Sequence, residues 1–136
     1  MLDSSVLVAA LCPDEERHAA ALALLTEGSH AVYAHAFLEC FSTLTGGRLG
    51  MRVDADLAVR LLTETISPRV RVVELDMEER LAALRRAKAL GVRGGAVFDY
   101  MHLTAARKAG AEFIFTLNVT DFTAIVREGD PAVRRP

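Results

Sequence analysis

Apolar side chains along this chain keep two different rhythms. Ala96, Val97, Tyr100, Leu103 and Ala106 recur at steps of three and four, which predicts an amphipathic helix. Lys108 in its last turn and Gly110 beyond it mark the stop. Phe113-Ile114-Phe115 is instead a short continuous apolar run, as expected of a parallel strand buried on both faces. Thr116 to Phe122 then leaves the carboxyl end of that strand as a turn, the place where open α/β sheets bind ligands.

The same alternation runs through the earlier chain. Met1 and Leu2 supply the end of a first strand, with Asp3 at its carboxyl end and Ser4 or Ser5 placed to cap the next helix. Pro13-Asp14-Glu15-Glu16 opens a helix that continues through Ala19 to Leu25 and stops at Glu27-Gly28-Ser29. His30 to Ala34 reads as a second strand and His35 to Leu44 as a helix ended by Gly46-Gly47. Met51 to Ile66 is a further helix, closed by Pro68. Arg71 to Leu75 is a third strand; Asp76 caps a helix from Met77 to Leu90, with Gly91 just past its end. A last short strand falls at Ala124 to Arg127, before a charged tail. Strands alternating with helices predict an α/β fold, a three-layer α/β/α domain on a mainly parallel central sheet.

Composition narrows this picture. A chain of 136 residues suits one domain, residues 1–136, with a core that needs no covalent staple. No apolar run approaches the length of a membrane span, and no basic segment precedes an apolar stretch at the start, so neither membrane nor secretion signal is expected. Cys12 and Cys40 form no CxxC pair and read as reduced, buried thiols of a cytoplasmic protein. The net charge of -2 gives no basic field, so a nucleic-acid ligand would depend on local basic patches or on cations screening an acidic site.

The chemistry lies in carboxylates. Asp3 and Asp121 fall just past strands, Asp99 in the first turn of a helix, and Glu39 one turn into the helix after the second strand. Each alone has an ordinary structural use: a helix cap for Asp3, the helix dipole for Asp99, a turn for Asp121 and a solvent-facing position for Glu39. Together at one sheet edge they would repel one another unless cations neutralised them. All-oxygen ligation suits Mg²⁺ or Mn²⁺, and Mg²⁺ is commonly shared with a substrate phosphate, which points to phosphodiester hydrolysis. His102 follows Asp99 by three residues on one helix face, leaving a mixed His/carboxylate site as the minor alternative. His18, His30 and His35 read as surface or capping residues. No serine has a placed histidine partner, and there is no GxGxxG or P-loop. Arg85, Arg86, Lys88, Arg107 and Lys108 could meet phosphates or simply face solvent.

LDSSVLVAAL at the start, HAFLECFSTL around Glu39 and GAVFDYMHLTAARKAGAEFIFTLNVTDF near the end resemble, in order and over nearly the whole chain, a PIN domain of the kind found in VapC toxins of toxin–antitoxin pairs. The resemblance implies a metal-dependent ribonuclease whose acids hold Mg²⁺ or Mn²⁺. By motif match these are Asp3, Glu39, Asp99 and Asp121, with Asn118 competing with Asp121 for the last place near the metals. Ser5 matches a position that orients Asp3. The resemblance further implies an RNA substrate, single-stranded or structured, a homodimer and a cognate small antitoxin laid over the acids. The first strand departs from the family's pattern in its shortness, the last in its weak definition. A PIN-like scaffold that only binds partners is the alternative. A receiver or phosphatase-like domain fits less well, because both lysines fall on helices and Asp3 is followed by Ser4-Ser5 in place of a DxD pair.

Overall fold

A computed structural model describes residues 1–47 and 52–136. Five extended segments lie side by side, all parallel. The strands are β1 (His30–Tyr33), β2 (Val70–Val73), β3 (Phe113–Phe115) and β4 (Ala132–Arg134). β1 pairs with β2, and β3 with β4. Leu2 joins the two pairs by bridging Val32 and Phe115. The backbone bonds Leu2 N–H to Ala31 O at 2.9 Å and Asp3 N–H to Phe115 O at 3.0 Å make Met1-Leu2 the centre of the sheet, short as it is. The segment ends at Asp3, whose side chain accepts from Ser5 N and caps helix α1 (Ser4–Leu11). Of the candidate caps Asp3, Ser4 and Ser5, the structure uses Asp3.

Helices cover both faces. Alternate strand residues point to opposite sides: Leu2 and Val32 join one core with α1, α2 (His18–Glu27), α3 (His35–Thr45) and α4 (Ala55–Arg60). Met1, Ala31, Tyr33 and Ile114 join the other, with α5 (Met77–Ala87), α6 (Ala96–Lys108) and α7 (Val119–Ile125). This is the three-layer α/β/α arrangement on a parallel sheet.

Several boundaries move. The acidic run after Pro13 forms turns, and α2 begins at His18. The helix expected from Met51 begins at Ala55, capped by Asp54; Met51 itself lies outside the described residues. That helix widens to π-helical turns over Leu61–Ile66 and ends in a tight turn at Ser67–Arg69 containing Pro68. Asp76 and Glu79 form a reciprocal capping box at α5, and Gly91, at φ 70°, takes the left-handed residue beyond the tight turn Lys88–Leu90.

The largest correction is at the end of the chain. The expected turn to Phe122 becomes α7 after Asn118, and Ala124–Arg127 is the end of that helix and its exit, with no strand. The last strand is β4, further on in the charged tail. Seven residues give a helix only two buried anchors, Phe122 and Ile125, which is too few to establish a period in the sequence. β4 is fixed by distant partners: its register on β3, the Arg134 guanidinium 3.4 Å from the centre of the Phe113 ring, and Arg107 gripping Asp130 through two nitrogens at 2.5 and 2.7 Å.

Candidate metal centre

The parallel strands all release their carboxyl ends on one side, and the acids gather there. Asp3 is 1% exposed. Its Oδ2 accepts from Ser5 Oγ at 2.6 Å and Thr116 Oγ1 at 2.9 Å. Each hydroxyl has one proton, spent on Asp3, and each accepts a backbone amide in return: Leu117 N–H to Ser5 Oγ at 3.0 Å and Asn118 N–H to Thr116 Oγ1 at 2.9 Å. The end of β3 and the start of α1 are thus laced together through one carboxylate oxygen. Oδ1 receives no hydrogen bond among the described residues and lies 3.6 Å from His102 Nδ1.

Glu39, on α3, does not take the solvent-facing option. His102 Nε2 donates to its Oε2 at 2.8 Å. The imidazole is 0% exposed, and its Nδ1, 3.6 Å from Asp3 Oδ1, has no hydrogen-bond partner among the described residues. Burial opposes charge on both partners. The mutual bond outweighs it, holding Glu39 below the usual carboxylate range and, with the charges of Asp3, Glu39 and Asp99, raising His102 above the usual imidazole value. One donor atom each from Asp3, Glu39 and His102 lie within 4.8 Å of one another.

Asp99, in the first turn of α6, is half-buried. Burial first, then the charge of Asp3, push its carboxyl up to about 6; Asp121 and Glu39 add to this and His102 opposes it. That mutual influence is the electrostatic mark of carboxylates sharing one space. Asp99, Glu39 and Asn118 line a cleft of about 440 Å³ with Ser4, His35 and Phe98. Asp121 stands exposed in the first turn of α7, one turn on from Asn118, and does not line the cleft. Asn118, whose side chain caps nothing, does line it.

The donor chemistry fits a divalent cation: the carboxylates of Asp3 and Glu39 gather with the His102 imidazole, and Asp99 lines the adjoining cleft. One contributor escaped the sequence reading. Thr116 looked like a turn residue, and its bond to Asp3 spans 113 positions. His102 belongs to the ligand-spaced group with Asp3 and Glu39, as the minor mixed His/carboxylate alternative expects, and it is also a buried hydrogen-bonding partner of Glu39, a role its place among the apolar positions of α6 signals.

The profile of the PIN domain family matches residues 1–126. No curated protein sequence matches the chain. Solved structures resemble it in fold. VapC20 of Mycobacterium tuberculosis, a sarcin-ricin loop cleaving toxin, is 20% identical with a TM-score of 0.72, covering 96% of this chain and 98% of that one. VapBC2 of Rickettsia felis, solved on a DNA fragment from its promoter, is 15% identical with a TM-score of 0.68, covering 99% and 96%. VapBC-1 of nontypeable Haemophilus influenzae is 20% identical with a TM-score of 0.59, covering 92% and 90%.

Proposed function

The chain belongs to the PIN domain family, and from that premise we propose that it is a metal-dependent endoribonuclease, the toxin of a VapBC-type toxin–antitoxin pair acting in the cytoplasm. The observation that carries this reading is the gathering of Asp3, Glu39 and His102 within 4.8 Å at the carboxyl edge of the sheet, with Asp99 lining the same cleft as Glu39. Asp3 Oδ1, Glu39 and Asp99 would hold Mg²⁺ or Mn²⁺, with Asn118 or Asp121 completing the set at the rim. The ion supplies an activated water and positive charge against the phosphate. The protein's own part is positional. Ser5 and Thr116 lock the rotation of Asp3 through Oδ2, which sets Oδ1 3.6 Å from His102 Nδ1. His102 fixes Glu39 through Nε2. Asn118 offers an amide where the substrate backbone enters.

The partners follow the same premise. The VapBC neighbours pair a toxin with an antitoxin, and we assign this chain a small antitoxin whose tail covers the cleft. A homodimer gains support from Met77, Leu81 and Leu84, which lie exposed along α5 at helical spacing.

The test is cleavage of RNA with Mn²⁺. Activity is expected to vanish with chelator and in Asp3→Asn and Asp99→Asn, with 5′-phosphate and 3′-hydroxyl ends on the products. Cleavage in excess chelator, or 2′,3′-cyclic phosphate ends, would rule the mechanism out.

A further inference from the structure

We propose that Phe98, backed by His35, is a stacking platform that holds one unpaired base of the substrate RNA beside the acids; the proposal rests on the nuclease reading above. Phe98 is 47% exposed and belongs to neither hydrophobic core among the described residues. Burial therefore does not account for a phenyl ring at this place. Its ring is held in position all the same. His35, the first residue of α3, lies parallel to it, with an interplanar angle of 2° and centroids 5.4 Å apart. Tyr33, at the end of β1 and 3% exposed, stands 6.1 Å behind His35. Three rings thus run from the core outward and end in an exposed one, within the separations at which offset aromatic pairs attract.

Phe98 and His35 stand between two clefts: an apolar one that they line with Leu84 and Met101, and the acidic one, which favours a nucleotide. Phe98 and His35 line the same cleft as Glu39, Asp99 and Asn118. Phe98 immediately precedes Asp99, so their Cα atoms are about 3.8 Å apart. A nucleotide whose phosphate meets the acids has its base, or that of its neighbour, within reach of the ring. The cleft carries acidic side chains, so its own charge repels a polyanion. A neutral π-face is a grip that this charge does not oppose. Stacking of an unpaired base on an aromatic side chain suits single-stranded or looped RNA, tolerates any base, and is unavailable to a base kept inside a duplex. The platform therefore assigns the substrate class as RNA presenting an unstacked nucleotide at the cleavage site. A protein segment laid across Phe98 is the competing occupant.

The experiment uses single-stranded oligoribonucleotides carrying 2-aminopurine at successive positions, bound with Mn²⁺ to the cleavage-silent Asp99→Asn protein. Quenching is expected at one position. Phe98→Ala in that background should lose the quenching and bind about tenfold more weakly, whereas Phe98→Tyr should retain both. An abasic nucleotide at the quenched position should weaken binding by the same factor, with no further loss in Phe98→Ala. Unchanged quenching and affinity in Phe98→Ala, or a loss confined to binding of a partner protein, overturns the platform. Metal-dependent cleavage by the protein with Phe98 intact is scored separately. Cleavage with an indifferent Phe98→Ala sinks the platform alone, whereas absence of both cleavage and RNA binding sinks both proposals.

Discussion

Asp99 is the residue at which charge and stability meet. Its folded pKa, raised to about 6 by burial and by Asp3, exceeds its unfolded value, so the folded state holds more protons between the two. Metal-free stability therefore falls as pH rises from about 4 through about 6. His102 is also raised, so its contribution is present below its ordinary value and is lost as pH rises through the folded one. The two trends reinforce each other. Glu39 is depressed, and its contribution is lost only as pH falls through its folded value. Asp99→Asn keeps the shape and removes the charge. Without metal at pH 7.5 it is expected to be more stable than wild type by roughly 1–3 kcal/mol, the upper figure being the whole shift converted and the lower allowing for solvent screening. At pH 4.5 most of the gain should vanish, and Mn²⁺ should stabilise wild type far more than the variant. Melting curves at both pH values decide. A variant that melts lower at both makes Asp99 a helix-start residue and removes it from the site.

At the scale of elements, the sheet is joined by the short segment Met1 to Asp3. It bonds to Ala31 on one side and to Phe113 and Phe115 on the other, and Leu2 at its middle is 0% exposed. Leu2→Ala is expected to cost about 2–5 kcal/mol, because it empties a fully buried site and loosens the seam on which Asp3 is mounted. Leu38→Ala, on α3 and 65% exposed, should change stability by less than about 0.5 kcal/mol. Urea unfolding of the two separates them; equal midpoints would show that Met1-Leu2 is not a working strand. α7 and β4 carry the opposite lesson. The first is anchored by two side chains and the second by Arg134 on Phe113 and by backbone pairing, so neither had enough local pattern to be read in advance.

At the scale of the whole molecule, the exposed stripe on α5 remains uncovered in a single chain. Met77 at 65%, Leu81 at 45% and Leu84 at 44% exposure form one apolar edge. If it is the proposed homodimer contact, Leu81→Glu with Leu84→Glu should weaken self-association at least about tenfold, since an unpaired carboxylate in such an interface costs more than 1.4 kcal/mol. Sedimentation velocity reads the outcome. A wild type that stays monomeric at high concentration, or a double variant that still dimerises, rejects this face.

The sequence by itself determined the order of strands and helices as far as β3, the α/β/α layering, and the places of Asp3 after the first strand and Asp99 in the first turn of its helix. Each of these depends on short-range physics: periodicity, caps such as Asp76 with Glu79, stops such as Gly91, and the rule that parallel strands share a carboxyl end. It also brought Glu39 close, but left its direction open, because a carboxylate beside an apolar stripe can turn either way. Only the tertiary structure turned it inward, by setting His102 against it across 63 positions, and only the tertiary structure gave Asp3 its second hydroxyl across 113. The start of α7 likewise sets Asn118 in the wall of the cleft and Asp121 exposed one turn on, close enough for its charge to act on Asp99. These placements rest on contacts between distant segments, which no local pattern of apolar and polar residues records.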